Sequence, residues 1–250
     1  MSPPAIVVQT VDYGEADRIV HVITERGRAS WFAHAAKKSQ RRFGGSLELF
    51  TTITPELEPK RRQGMAVLAS ATTLVPRLGL RLHLESMAMA AYAGEVTYLI
   101  APEEADTTTL YQLLGALYDA LAERAATPPM RRAFELAVLA ELGVIADLGA
   151  CTACDRPLGD DEESGLDLEA GGSFCLEHAG AKRRIGPKTR TWAERALAGQ
   201  GARFDENFGL DPTWAKTAAE RLGRHLDPAI LAHVGAPLRS VAWLDETLML

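Results

Sequence analysis

Hydrophobic and polar positions follow two different rhythms along this chain. Up to about residue 80 the apolar residues come in short β-branched or aromatic runs: Ala5-Ile6-Val7-Val8, Arg18-Ile19-Val20-His21-Val22-Ile23, Ala29-Ser30-Trp31-Phe32, Leu49-Phe50-Thr51-Thr52-Ile53 and Ala66-Val67-Leu68-Ala69. Turn-forming or polar segments divide them, so the pattern predicts five strands. Glu25-Arg26-Gly27-Arg28 reads as a hairpin turn, because glycine tolerates the positive φ that tight connections require. Five strands this close together, most without a helical pattern between them, predict a small barrel of the OB type. Another small barrel or a sandwich would satisfy the same pattern.

From Leu80 onward the period changes to threes and fours. Leu84, Met87, Ala88, Ala91, Tyr92 and Glu95 form one set, and Leu110, Leu113, Leu114, Leu117, Tyr118 and Leu121 a second. Both predict helices. Pro128-Pro129 interrupts, and Phe134, Val138, Leu139, Leu142 and Ile145 give a third stripe ending near Gly149. Two more amphipathic patterns follow, Trp192, Ala196 and Leu197, then Trp214, Ala218, Leu222 and Leu226. The fold class expected is α+β: an N-terminal OB-type β-barrel, then an all-α domain interrupted by a small insert in which Cys151, Cys154, Cys175 and His178 stand at zinc-finger spacing. The boundaries are a barrel over 1–80, helical parts over 81–150 and 182–250 that pack as one domain, and a knuckle over 151–181.

Composition places the chain among ordinary globular proteins, with 47% hydrophobic and 24% charged residues over 250 positions. No apolar run approaches the roughly 20 residues of a bilayer span, and the start, Met1-Ser2-Pro3-Pro4-Ala5, lacks a basic region followed by an apolar stretch. A cytoplasmic protein without membrane association is expected. Net charge is −6, which alone argues against nucleic acid, but the distribution is uneven. Residues 1–80 carry +4, 81–150 carry −6, 151–181 carry −7 and 182–250 carry +3. A basic head and tail thus flank an acidic middle.

All three cysteines fall between Cys151 and Cys175. Cys151-Thr152-Ala153-Cys154 and Cys175-Leu176-Glu177-His178 are two chelating pairs at the spacing of tetrahedral structural zinc sites. Two intervening residues let a tight knuckle aim both side chains at one ion, and thiolate with imidazole suits Zn²⁺. Cys151, Cys154, Cys175 and His178 are therefore the expected metal ligands, although Glu177 or Asp155 could take the fourth place. An unmetallated thiol pair or a redox CxxC is the alternative. Four protein ligands leave no position for an activated water, so the ion would be structural. His83-Leu84-Glu85 upstream of the cysteine pair superficially reproduces a zinc deaminase signature. Ala150 stands where that signature has proline, and Cys175 and His178 would be left without a role.

Arg26, Arg28, Lys37, Lys38, Arg41, Arg42, Lys60, Arg61 and Arg62 are the main cations of the barrel. The run Lys37-Lys38-Ser39-Gln40-Arg41-Arg42-Phe43-Gly44-Gly45 reads as a flexible basic loop between the third and fourth strands. Small barrels bind single strands by combining such cations with aromatic faces on which bases stack. Trp31 and Phe32 point to opposite faces of a strand, so one is expected in the core and the other, or Phe43, on a stacking surface. Arg183, Arg184, Lys188 and Arg190 after the knuckle could extend the track or solubilise a helix end. Solvated surface is the bland alternative for all of these cations.

The order of parts resembles the RecO family of bacterial recombination mediators. The matching stretches are Tyr13-Gly14-Glu15-Ala16-Asp17-Arg18, Thr24-Glu25-Arg26-Gly27-Arg28, the segment from Lys37 to Phe50, and Phe134-Glu135-Leu136-Ala137-Val138-Leu139-Ala140-Glu141-Leu142-Gly143 running into the cysteine pair. His34-Ala35-Ala36 stands where the family commonly has a Lys-Gly-containing stretch, so one customary cation is absent. The resemblance implies a non-enzymatic role: binding single- and double-stranded DNA, annealing complementary strands, and working with RecR to load RecA onto DNA coated by single-strand-binding protein (SSB). It also implies that the SSB C-terminal tail docks on the helical domain, with Arg132 and its neighbour Arg131 receiving a carboxylate, and a location on the nucleoid in the cytoplasm. No GxxxxGK[ST], GxSxG or HExxH motif occurs. The competing reading is a zinc-knuckle interaction adaptor without direct DNA binding.

Overall fold

The computed structural model describes residues 2–62, 64–145, 147–199, 204 and 210–248. The chain divides into two compact units, Met1–Arg124 and Ala125–Leu250.

In the first unit, β1 (Ala5–Tyr13), β2 (Asp17–Thr24), β3 (Gly27–Ala33), β4 (Thr52–Arg62) and β5 (Met65–Val75) close into a barrel of order β1-β2-β3-β5-β4. β3 pairs with β5 in parallel, Trp31 opposite Ala66, while the other pairings are antiparallel. This is the OB-like barrel expected. The interior is filled from alternate strand positions by Val7, Val20, Val22, Trp31, Ile53 and Leu68. The strands run beyond their β-branched centres into polar residues. Leu49 and Phe50, expected to begin the fourth strand, instead form a turn in which Phe50 has φ 69°, and β4 starts at Thr52.

Gly27 does sit in the β2–β3 turn, with φ 102° and so little space that a Cβ there would meet the Pro102 carbonyl oxygen at 2.5 Å. Both facts demand glycine. A 3₁₀ turn (Leu78–Leu82) leads to helices α2 (Leu84–Ile100) and α3 (Thr108–Glu123), whose capping and connecting segments bind the barrel. Thr107 Oγ1 donates to the Thr24 carbonyl at 2.8 Å and accepts from the Gly27 amide at 2.8 Å. Arg77 donates to the Phe50 carbonyl, Thr52 Oγ1 and Asp119, tying β4 to α3.

In the second unit, α4 (Pro128–Glu141), α6 (Pro187–Ala198) and α7 (Pro212–Val234) pack on one another, with α8 (Val241–Leu248) following. Phe134, Leu139, Trp192, Leu222, Leu226 and Leu244 are buried. Asp211 caps α7 by accepting from the Thr213 amide at 2.9 Å, the ordinary satisfaction of an orphan N–H at a helix start. Between α4 and α6 lies a three-stranded ribbon of order β7-β6-β8, made of β6 (Ser164–Asp167), β7 (Gly172–Phe174) and β8 (Arg183–Ile185), with a single turn of helix, α5 (Leu176–Ala179), after β7. Among the described residues, no helix is long and apolar enough to cross a membrane.

Candidate metal centre and nucleic-acid interface

The ribbon has little core of its own: Cys151, Leu158, Phe174, Cys175 and Ala179 form its buried cluster. Two of these are cysteines, so apolar burial alone holds it weakly. Two backbone knuckles shape it. The Cys154 and Asp155 amides donate to the Cys151 carbonyl at 3.3 and 2.8 Å, with Asp155 at φ 56° releasing the chain, and the His178 amide donates to the Cys175 carbonyl at 2.9 Å. The Thr152 amide donates to the Ser173 carbonyl at 2.8 Å, holding the first knuckle to β7.

These turns bring together Cys151, Cys154, Cys175 and His178, whose ligand atoms all lie within 4.8 Å of one another. His178 presents Nδ1, 3.2 Å from Cys175 Sγ and 3.8 Å from Cys151 Sγ. The edge of a tetrahedral Cys/His zinc shell is about 3.5 Å from sulfur to nitrogen and about 3.8 Å from sulfur to sulfur for bonds of roughly 2.0–2.3 Å, so the group suits a tetrahedral ion of borderline softness. Burial pushes the Cys151 thiol up, but the surrounding backbone amides outweigh it and hold the thiol below its ordinary value, which favours the ligating thiolate. His178, rather than Asp155 or Glu177, completes the group. His83 begins α2 in the first unit and is not part of it, so the deaminase arrangement is absent among the described residues.

Beside the metal group, the acidic stretch is partly neutralised. Glu162 receives Arg156 at 2.5 and 3.0 Å, which together with the Gly159 amide holds its carboxyl down at about 2. Glu163 lies 3.9 Å from Arg184. Arg190, a candidate for the basic track, is instead buried and bonded to the carbonyls of Gly159 and Glu162.

The barrel cations separate into two groups. The β2–β3 register runs from Arg18 opposite Ala33 to Thr24 opposite Gly27, six residues or about 20 Å of strand. Arg26 and Arg28 lie at one end. Arg28 donates to the Tyr98 carbonyl and lies 3.6 Å from Glu103, and Arg26 shares a cleft with Glu25, Glu104 and Asp106. Carboxylates thus surround this end.

The segment containing Lys37, Lys38, Arg41 and Arg42 leaves the other end of β3, and Arg62 reaches the same end from β4. Arg62 sits 4.3 Å over the Phe32 ring and 3.9 Å from Asp17. Lys37 pairs with Asp12 at 2.8 Å, and Arg42 donates to the His34 carbonyl at 2.7 Å. Lys38 and Arg41 are exposed. Arg61 is exposed in the β4–β5 hairpin, bonded to the Gly64 carbonyl; Lys60 belongs to β4 by its backbone, its side chain lying outside the described ones. Sequence reasoning missed Arg18, which pairs with Asp12 and, with Lys37, lines a cavity of about 410 Å³ bounded by Ser39, Gln40 and Gly44.

Two expectations need correction here. Where the sequence suggests a flexible loop, residues 34–51 form turns and a short helix, α1 (Gln40–Phe43), that plugs the barrel: Phe43 and Leu47 belong to its core. Trp31, Phe32 and Phe43 are all buried, so none is a stacking surface. The barrel closes on both sides of β3, with Phe32 covered by Tyr13 and Arg62, which is why alternation did not expose one ring.

Comparison with known proteins then decides the family. The family model described as Recombination protein O N terminal matches residues 1–77, and that described as Recombination protein O C terminal matches 81–242. The chain belongs to the RecO family. Relatives named DNA repair protein RecO include one from Anaeromyxobacter sp. (strain Fw109-5), 34% identical over 96% of this chain and 94% of its own length. One from Pelobacter propionicus is 35% identical over 97% and 95%, and one from Geobacter sulfurreducens 34% identical over 97% and 96%. As a RecO family member the chain is a DNA repair and recombination protein. The model boundary near residue 80 falls within the first compact unit, because α2 and α3 pack with the barrel.

The stretch beginning Phe134-Glu135-Leu136 lies on α4. The first turns of α4 carry Arg131 and Arg132, which are buried and paired around the fully buried Glu135 at 2.8 and 2.7 Å. Asp245 accepts from Arg131 at 2.5 Å, and Asp227 accepts from both arginines.

Proposed function

We propose that this protein binds single-stranded DNA through the end of the barrel carrying Lys37, Lys38, Arg41, Arg42 and Arg62, anneals complementary strands, and with RecR helps RecA load onto SSB-coated DNA. The observation carrying this reading is the convergence of those cations on one end of an OB-like barrel in a RecO family chain. Exposed lysines and arginines on a closed barrel neutralise phosphates without a deep groove, so two strands can be held and still pair. Sequence preference is low, and affinity for single and double strands falls steeply with salt. The role is that of a mediator, without covalent chemistry, on the nucleoid in the cytoplasm.

In this division of labour residues 1–80 carry the DNA surface. Residues 151–181 hold a structural Zn²⁺ through Cys151, Cys154, Cys175 and His178, framed by the helical residues 125–150 and 182–250 of the same compact unit. The ion substitutes for the missing core of the ribbon. The SSB tail is assigned to Arg131 and Arg132. Glu135 is buried between them, so an incoming tail carboxylate competes with Asp227 and Asp245, whose side chains are about half exposed. Arg26 and Arg28, flanked by acids, contribute less to DNA than the opposite end.

The direct test is annealing of two complementary labelled oligonucleotides by the full chain, bare and precoated with SSB. Accelerated annealing of both is expected. Absence of annealing together with retained RecR binding would leave the adaptor reading instead.

A further inference from the structure

The nine barrel cations do not account for the basic residues of the second unit. Trp214 stands in the first turn of α7 with 41% of its surface exposed, and Lys188, two residues into α6, places its ammonium 3.3 Å from the centre of the Trp214 ring. One helical face of α7 continues from Trp214 through Arg221 to Arg224 and His225. The segment running from β8 into α6 follows it. Gly186 lies 3.7 Å, measured from the Cβ it lacks, from Arg221 Nη1, and Arg183 donates to the Arg224 carbonyl at 2.8 Å. Beyond Arg224 a groove of about 340 Å³ opens between α7 and the ribbon, edged by Lys182, Arg183, Arg224, His225 and His233, with Asp167 and Glu169 on its ribbon side.

We propose that this line, Trp214 with Lys188, then Arg221, then Arg183 with Arg224, is a second binding track for single-stranded nucleic acid, with Trp214 as its base-stacking platform. Three observations converge on that ligand. Lys188, Arg221 and Arg224 are exposed and have no carboxylate within ion-pair distance among the described residues, so their charge is available to phosphate. Trp214 keeps 41% of its surface exposed and lies outside the buried face of α7, which is carried by Ala215, Ala218, Leu222 and Leu226; a partly exposed ring beside a cation is a surface on which a base can stack. Trp214 and Arg224 are ten residues apart, about 15 Å along the helix, so the cations extend one way from the ring as a backbone does from its base. Lys188 is flexible enough to yield the ring face while keeping its charge beside the strand. Asp167 and Glu169 confine the track to its α7 side. The inference rests on the reading of the chain as a single-strand binder but concerns a surface separate from the barrel.

Fluorescence anisotropy of a labelled oligo-thymidine, titrated with the full chain, tests it. Trp214→Ala is expected to weaken binding about fivefold or more and Trp214→Phe to restore most of it, because the aromatic face carries the effect. On an abasic strand of equal length the wild type and Trp214→Ala should bind alike. Arg221→Ala with Arg224→Ala should reduce the slope of log affinity against log salt by about 1.4. If these variants bind thymidine strands with unchanged affinity and slope, the inference fails. The variant lacking Lys37, Lys38, Arg41 and Arg42, measured alongside, separates the two surfaces. Loss confined to that variant overturns the α7 track and leaves the proposed function standing; loss confined to the α7 variants supports the track and removes the barrel from that function. A wild-type unfolding midpoint in each variant shows that the second unit is folded.

Discussion

The guanidinium of Arg190, a residue of α6, donates to the carbonyl oxygen of Glu162 in the metal ribbon at 2.8 Å, and the same group reaches the Gly159 carbonyl. A buried cation thus fastens the loop between the first knuckle and β6 to the helical frame, with Glu194 supplying its counter-charge at 3.1 Å. Arg190→Ala leaves buried carbonyls unmatched and is expected to cost roughly 2–4 kcal/mol. Denaturant unfolding measures the loss. Arg190→Lys should recover only part of it, since one ammonium cannot reproduce the planar fork.

The metal group gives a selective prediction. Replacing Cys151, Cys175 or His178 with alanine should release the ion, whereas Asp155→Ala and Glu177→Ala should retain it, as read by a chromophoric zinc indicator. Chelation of the wild type should open the ribbon to proteolysis between about residues 150 and 185 while α4 and α7 stay resistant, because the ribbon's own core is small.

Glu135 is fully buried with Arg131 and Arg132 both directed at it. Glu135→Ala strands two buried guanidinium groups against the remaining Asp227 and Asp245 and is expected to cost roughly 3–5 kcal/mol in thermal or denaturant unfolding. Gly223→Ala should also destabilise, since its Cβ would fall 2.6 Å from Arg132 Nη2.

In the first unit His21 Nδ1 lies 2.9 Å from both Ser30 Oγ and Tyr98 Oη, joining β2 and β3 to α2. Burial holds its pKa below the ordinary 6.5. Protonation therefore favours the unfolded chain: the stabilisation is complete above about 6.5 and is lost as pH falls through the lower folded value. Unfolding midpoints measured from pH 7.5 to 5.5 should decline in the wild type more than in His21→Gln.

Much of this architecture is legible in the sequence, and the illegible parts have physical causes. The five strands announce themselves through β-branched runs, and the two chelating pairs through their spacing. The length of β4 does not, because Pro55-Glu56-Leu57-Glu58-Pro59-Lys60-Arg61-Arg62, beyond the predicted run, carries little strand propensity and is held by pairing with β5. Strand alternation assigns Trp31 and Phe32 to opposite faces but cannot foresee that Arg62 and Tyr13 cover the outer one. The role of Phe43 depends on α1 folding back into the barrel, and that of Arg190 on the docking of a ribbon about 30 positions earlier; neither leaves a local signature. The ribbon strands β7 and β8 are three residues each, too short for any periodicity to mark.

The central claim is that the Lys37–Arg42 end of the barrel is where DNA phosphates are neutralised. The measurement that tests it most directly is the salt dependence of single-strand affinity for the wild type and for the variant with Lys37, Lys38, Arg41 and Arg42 replaced by alanine. Each lost phosphate contact lowers the slope of log affinity against log salt by about 0.7. The account predicts a slope shallower by about 2 to 3 in the variant, with Lys37 contributing least because Asp12 already holds it at 2.8 Å. An unchanged affinity and slope in the folded, metal-retaining variant would contradict it.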